Sequence, residues 1–334
     1  MKPISAFSGR RDGSFRRSLG LILAVVISVA AMGRAALAEP IVIATSKSGW
    51  LVWLAEDQGF FKRAGVDVKV ELVASGVAAG GGLIDGKYQF ATMSEYAFAA
   101  RSFEHPELRV TGTVAAISNV RLIGRRSAGV NGPADLSGKS IGLRAGSISQ
   151  FFLGRLLDLN GIRAADVKTV DIAPPKLPEA LKEGTVDTIV SWEPYANQAA
   201  ELLGKDSIAI TVQGGQPYYF VLASTAGFIG KRTGDVEKVV RALVQAADWA
   251  GASRDYSMDI LAGRIGIDRA VLEKLWPDHV MDVSLSQDML SLMEDEAHWR
   301  VGNGLSKGQV PNFLERVYPD ALLAVDPTRF TIIR

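Results

Sequence analysis

Val66-Asp67-Val68-Lys69-Val70-Glu71-Leu72-Val73 alternates apolar and polar residues for eight positions, the period of a half-buried strand. Upstream, Ile41-Val42-Ile43-Ala44-Thr45 is a short β-branched apolar run. Apolar residues then recur at helical spacing from Trp50 through Phe60 and Phe61 until Gly65 stops them. Downstream, a Gly-rich helical stretch over 77–84 leads through Asp85-Gly86 into a third strand at 88–93 and a helix over 95–103. Strands separated by helices of this length pair in parallel through crossover connections, which predicts an α/β sheet covered on both faces.

The same order then starts again. After Gly132-Pro133 come a strand at 140–143, a helix at 149–159, a strand at 167–172, a helix at 177–182 and a strand at 186–190. Asp85-Gly86 is matched by Glu183-Gly184, and nine residues past each Gly stands a glutamate, Glu95 and Glu193. This reads as an internal repeat that makes two similar lobes. From about Phe228 amphipathic helices take over, at 236–249, 256–265, 272–276 and 285–299, and are expected to pack back on the first lobe. The expected division is 39–127 for the first part of lobe 1, 128–224 for lobe 2 and 225–334 for the helical completion of lobe 1.

The chain has 334 residues, 48% hydrophobic and 22% charged, with no cysteine and a formal net charge of +1. These proportions describe a globular chain and exclude disulfide scaffolds, thiolate chemistry and Cys-ligated metals. Residues 1–38 read as a secretory signal: Lys2, Arg10, Arg11, Arg16 and Arg17 precede a 14-residue apolar run at 19–32, and Ala36-Leu37-Ala38 supplies a small-x-small cleavage pattern. The run is too short to cross a bilayer, and Arg16-Arg17 hints at twin-arginine export. What remains after Ala38 is mildly acidic, which argues against nucleic acid as a partner.

In open parallel sheets a ligand binds beyond the carboxyl ends of the strands, where helix N-termini converge. Those junctions are Ser46-Lys47-Ser48-Gly49-Trp50, Ala74-Ser75-Gly76, Ser94-Glu95-Tyr96, Gly146-Ser147-Ile148-Ser149-Gln150 and Ser191-Trp192-Glu193-Pro194. Hydroxyls beside glycines and helix starts suit a small anion. Each junction also has a plain structural reading. Ser147 with Gln150 fits a capping box, and Pro194 fits the first position of a helix with Glu193 favoured by its dipole. Trp192 faces either core or cleft. Glu95 and Glu193, as a facing pair, could hold a ligand amine or act as acid and base; as helix-start carboxylates they need do neither. Among the aromatic residues Trp50 and Tyr218 are the candidates for the site.

Catalytic templates are absent or fail in detail. Gly81 to Lys87 fits G-x-x-x-x-G-K, but Tyr88 stands where a Ser or Thr would hold Mg²⁺, and a strand follows where a helix is required. There is no G-x-S-x-G, no H-E-x-x-H and no dinucleotide fingerprint, and Glu294 with His298 is an i, i+4 pair on an exposed helix face. No metal and no cofactor are expected.

Trp53-Leu54-Ala55-Glu56-Asp57-Gln58-Gly59-Phe60-Phe61-Lys62-Arg63-Ala64-Gly65-Val66-Asp67-Val68 resembles the opening of the periplasmic substrate-binding proteins of ABC importers, in the nitrate, aliphatic sulfonate and taurine branch. Asp135-Leu136-Ser137-Gly138-Lys139-Ser140-Ile141-Gly142, Gly146-Ser147, Val186-Asp187 and Ser191-Trp192-Glu193-Pro194-Tyr195 are similar to that family's second lobe. The resemblance implies a two-lobed periplasmic binding protein fold, type II-like, each lobe a mostly parallel sheet flanked by helices, with a ligand cleft at the hinge. It places ligand contacts at Lys47, Ser48, Gly49, Ser75, Gly76, Ser94, Glu95, Ser147, Ser149, Trp192 and Glu193; Trp50, Gln150 and Tyr218 join them from the reading above. Two departures stand out: the Gly-rich segment at Gly76, Gly80, Gly81 and Gly82, and Gln150-Phe151 where the family often shows a His and an aromatic or polar residue. The expectation is a monomeric, non-enzymatic, periplasmic protein that captures a small organic anion, an aliphatic sulfonate or taurine-like compound, for a membrane permease. The alternatives are a carrier of a thiamine pyrimidine precursor or other small heterocycle, and a periplasmic sensor domain. Enzymes of this fold that make the thiamine pyrimidine carry a Cys-rich motif, which this chain lacks.

Overall fold

The computed structural model describes residues 39–333, together with Met1 and Pro3. The expected signal segment, 1–38, otherwise lies outside the described residues. Eleven strands are described: β1 (Ile41–Thr45), β2 (Val68–Leu72), β3 (Phe90–Ser94), β4 (Leu108–Ile117), β5 (Arg121–Arg125), β6 (Ser140–Leu143), β7 (Lys168–Asp171), β8 (Thr188–Ser191), β9 (Ser207–Thr211), β10 (Tyr218–Thr225) and β11 (His279–Val280). They form two sheets, in the orders β11-β4-β10-β3-β1-β2 and β7-β6-β8-β5-β9.

The repeat read from the sequence is visible in these orders. β1 pairs in parallel with β2 and β3, and β6 pairs in parallel with β7 and β8, so each lobe is built around its first strand. Next to each parallel trio lies an antiparallel strand that has crossed from the other lobe. β10 pairs antiparallel with β3, and β5 pairs antiparallel with β8. The chain passes from β4 to β5 through residues 118–120 and returns from β9 to β10 through residues 212–217.

The boundaries drawn from the sequence at 128 and 224 differ from the sheet membership. β5 belongs to the second sheet although it precedes 128, and β10 belongs to the first although most of it precedes 224. Both are crossing strands flanked on each side in their sheets, and β10, Tyr-Tyr-Phe-Val-Leu-Ala-Ser-Thr, is a near-continuous apolar run without the alternation that marks a half-buried strand. Of the C-terminal helices, Thr233–Ala252 lies against Trp50–Asp57 and Phe60–Arg63, and Gln287–Gly302 lies against Glu95–Ser102. No helix among the described residues is long and apolar enough to cross a membrane.

One apolar core runs from the first sheet into the second, and a smaller cluster around Leu177, Leu181, Val186 and Ile189 fills the far side of the second sheet. Two glycines are explained by close approach. A Cβ at Gly76 would stand 2.7 Å from Cα of Met93, and one at Gly154 would stand 2.1 Å from Cζ2 of Trp299. The first lets the Gly-rich helix (Gly76–Ile84) press against β3. The second seats the indole of the C-terminal helix on the first helix of lobe 2 (Ile148–Leu159), where Phe151 meets Trp299 edge-on at 5.4 Å. Gly154→Leu would drive a side chain into that ring and is expected to destabilise the protein by about 1–3 kcal/mol, as measured by urea unfolding.

Candidate functional site

A small cavity, with room for little more than a water molecule or two, opens where the strand ends of the two sheets meet. Its wall is made by Ser46 and Ser48 after β1, Gly76 and Val77 at the start of one helix, Ser94 and Ala97 at the start of the next, Ser147 and Ile148 at the start of the first helix of lobe 2, Trp192 after β8, and Tyr218 and Phe220 on β10. None of these side chains is charged. Phe220 pairs with Ser94 in the sheet, so β10 carries its two aromatic rings to the end of β3 where the helix begins.

The helix ends differ in how they are satisfied. Ser75 and Ser94 cap their helices, accepting from the amides of Ala78 at 3.2 Å and Ala97 at 3.1 Å. At Ser147 no side chain caps the helix. The capping box expected from Ser147 and Gln150 does not form: the Ser147 hydroxyl donates to the carbonyl of Arg144 at 2.7 Å, and Gln150 Oε1 accepts from the amide of Gly146 at 2.9 Å. Ser147 and Ile148, at the start of that helix, line the cavity, and no side chain accepts from its first amides, an arrangement that leaves room for an anion. Ser48 Oγ, buried in the same wall, has no hydrogen-bond partner, and Ser46 Oγ accepts from the Ser48 amide at 3.3 Å.

Of the fourteen residues singled out from the sequence, Ser48, Gly76, Ser94, Ser147, Trp192 and Tyr218 line the cavity. The others lie off its wall. Trp50 is packing: its ring stacks on His279 at 4.0 Å and on Trp276 at 5.8 Å. Gly49 makes room for Thr45, whose Oγ1 would be 1.8 Å from a Cβ there. Lys47 is half-buried beside Gly266. Ser75 serves as a cap, Gln150 holds Gly146, and Ser149 is fully buried with its hydroxyl unpartnered. Glu193 accepts from the amide of Asn197 at 2.9 Å, the helix-start role, while Pro194 stands at the N-cap of Tyr195–Leu203, one place earlier than expected.

The facing pair Glu95–Glu193 is not formed. Glu95 instead interacts with Glu296 of the C-terminal helix, and both are fully buried, with all four carboxyl oxygens lacking hydrogen-bond partners. Burial pushes Glu95 up to about 8; the nearby amides of Tyr219, Glu95 and Tyr96 oppose that shift without reaching hydrogen-bond geometry. Glu296 is likewise raised by burial and by Glu95, against Arg300. His279 is driven down to about 3 by burial alone.

The wall residues that sequence reasoning missed are Ser46, Val77, Ala97, Ile148 and Phe220. All five stand within three positions of a residue that was identified: Ser46 and Ile148 lie inside the quoted junctions, and extending the others by one turn, or along β10, would have found Val77, Ala97 and Phe220.

These shifts set a pH dependence. Unfolded Glu95 loses its proton near 4.5, while the folded protein keeps it to about 8. Its contribution is therefore full below pH 4.5 and is lost as pH rises toward 8. His279 acts on the other side: the unfolded ring protonates below 6.5 and the folded one only near 3, so stability falls as pH drops through that window. Glu95→Gln is expected to flatten the upper limb, read as the pH dependence of the urea midpoint from 4.5 to 8 in both proteins.

Sheet order and lobes define an α/β chain of the periplasmic binding protein fold, with a small cavity between its two sheets. The NMT1/THI5 like family matches residues 50–255, and the chain belongs to that family. Among solved structures it is similar to the alkanesulfonate-binding protein SsuA from Xanthomonas axonopodis pv. citri bound to MOPS, with 20% identity, 85% of this chain and 100% of that chain covered, and a TM-score of 0.75. The periplasmic aliphatic sulphonate binding protein SsuA from Escherichia coli follows at 18% identity, 84% and 97% coverage and a TM-score of 0.70. An enzyme shares the fold as well: the desulfurization enzyme DSZB matches at 18% identity, 86% and 99% coverage and a TM-score of 0.64. No curated protein sequence matches the chain.

Proposed function

We propose that the protein is the periplasmic solute-binding component of an ABC importer, a monomer that captures a small organic anion, an aliphatic sulfonate or taurine-like compound, and presents it to a membrane permease without chemical change. The observation that carries this reading is the uncapped N-terminus of Ile148–Leu159 opening into a wall of hydroxyls and aromatic rings. The amides at that end, with Ser48 and Ser147, would hold the charged head. Trp192, Tyr218, Phe220 and Val77 would cover the organic part. The fold shared with two sulfonate-binding proteins supports the ligand class, and the family's fold supports the transport role.

The test is a thermal-shift screen of the purified protein against alkanesulfonates, taurine, nitrate and pyrimidines. A sulfonate at 100 times its dissociation constant is expected to stabilise the protein by about 2.7 kcal/mol. A shift with nitrate or metals alone would overturn the reading. A second reading, a small aromatic heterocycle, is favoured by the three aromatic rings in one wall; pyrimidines shifting the melting point more than sulfonates would select it.

A further inference from the structure

The Gly-rich helix, Gly76–Ile84, departs from the family pattern in a way that the cavity between the sheets does not explain. Gly76 and Gly82 make room for Met93 and Tyr88. Gly80 and Gly81 have another use. A Cβ at Gly80 would stand 2.8 Å from Nε of Arg101 and 3.0 Å from the sulfur of Met93, so this glycine seats a guanidinium. At Gly81 nothing lies within 4 Å, because the residue faces an open groove of about 760 Å³ bounded by the ends of Gly76–Ile84, Glu95–Ser102 and Gln287–Gly302. This groove shares no residue with the cavity wall. Glycine weakens a helix interior, and these two serve the groove: one admits its arginine, the other keeps its wall open.

Two guanidiniums line the groove, Arg101, half-buried, and Arg300, 8% exposed, and neither makes an ion pair among the described residues. Their hydrogen bonds go to neutral oxygens. Arg101 donates to the carbonyls of Val77 and, at 3.2 Å, Ala97; Arg300 donates to the Tyr96 hydroxyl at 2.8 Å, the Leu305 carbonyl at 3.1 Å and Ser306 Oγ at 3.0 Å. Such partners orient a guanidinium without neutralising it, and each keeps N–H groups beyond those bonds. Burial, then the charges of Arg144 and Arg300, press against the charged form of Arg101, yet a guanidinium stays protonated at any ordinary pH. The acids nearby do not relieve this. Glu296, one turn back from Arg300, has its protonated form favoured by burial; Asp85 pairs with Lys87 at 3.5 Å; Glu104 is exposed on the rim. Also on the rim are Lys307, exposed, and His105, which meets Glu107 at 3.1 Å.

We propose that this groove is a second anion site, separate from the cavity between the sheets, which takes a tetrahedral dianion: sulfate, phosphate or the phosphate of a small ester. Arg101 and Arg300 hold the oxygens by charge-assisted hydrogen bonds, the Ser306 hydroxyl donates a further one, and Lys307 adds charge from the rim. Two unpaired guanidiniums call for two negative charges, which a tetrahedral dianion supplies in one ion. The groove also has room beside the ion for the organic part of an ester. Arg101 ties this site to the other one from behind, because the carbonyls it holds belong to Val77 and Ala97, two residues of the cavity wall. The inference does not rest on the sulfonate reading.

Calorimetric titration of the purified protein with sodium sulfate, inorganic phosphate and glycerol 3-phosphate, at pH 8 and low salt, with sodium chloride at matched ionic strength as reference, tests this. The dianions are expected to bind at least about tenfold more tightly than chloride. Arg101→Met should weaken that binding at least about tenfold, and so should Gly81→Glu, which sets a carboxylate in the wall where no other atom stands. Lys307→Met, on the exposed rim, should weaken it about threefold or less. Glycerol 3-phosphate binding more tightly than phosphate assigns the groove to an ester, and equal affinities assign it to the free ion. Dianions binding no better than chloride overturn the site. Dianion binding that survives both Arg101→Met and Gly81→Glu within about twofold overturns it as well, since the ion then sits in the cavity between the sheets. Should Arg101→Met not fold, Gly81→Glu decides. An alkanesulfonate that binds wild type and Gly81→Glu equally keeps the sulfonate reading standing whichever way the groove is settled.

Discussion

Ala97→Leu is expected to weaken ligand binding by 100-fold or more while leaving a folded protein. Ala97 is 1% exposed and its methyl forms part of the cavity wall, one turn into the helix that Ser94 caps. Three added carbons fill so small a cavity and take the room of the ligand's organic part, and no larger neighbour there can retreat: Tyr218 is 2% exposed and Phe220 4%. Packing interiors are dense enough that such an insertion costs about 1–3 kcal/mol where it meets other side chains. That cost falls on the ligand-free protein too, so its melting temperature should drop by a few degrees while the protein stays folded. The comparison is between the dissociation constant and the apo melting point of the two proteins. Affinity within threefold of wild type would show that the ligand sits elsewhere.

The second large effect lies between the lobes. Gln213, 3% exposed, sits in the returning crossover and holds the outgoing one. Its Oε1 accepts from the Val120 amide at 2.7 Å, and its Nε2 donates to the carbonyls of Ile117 at 3.1 Å and Gln216 at 2.8 Å. One side chain thus ties together the two strands on which any rotation of the lobes must turn. Gln213→Ala leaves a buried amide and a buried carbonyl without partners, each costing about 1–3 kcal/mol. The expected loss is about 3 kcal/mol in urea unfolding, with faster hydrogen exchange at Val120. A change below 1 kcal/mol would mean that water replaces the amide and that the two crossovers are held by other means.

Much of this was legible in the sequence where a local signal exists. The alternation in β2, the β-branched run of β1 and the helix Leu177–Lys182 announce themselves by period and by the glycines that end them. Hydroxyls at helix starts led to Ser48, Ser94 and Ser147 because that chemistry is written in adjacent residues. What was hidden depends on partners far along the chain. Trp50 looks like a site residue until its ring is seen against His279, and Glu95 found Glu296 rather than Glu193 because the C-terminal helix packs along its helix. β10 escaped because a strand flanked on both sides shows no face to water, hence no alternation.

The order β4-β10-β3 carries a consequence for biogenesis. β3 and β4 share no hydrogen bonds; the strand between them arrives only once residue 225 has left the ribosome. Until then the N-terminal portion holds two open strand edges, the state most prone to aggregation, while residues 121–211 already contain every strand of the second sheet. A nascent chain halted before Tyr218 should thus display a folded inner module inside an unfinished outer one, and it is during that interval that a chaperone would matter most.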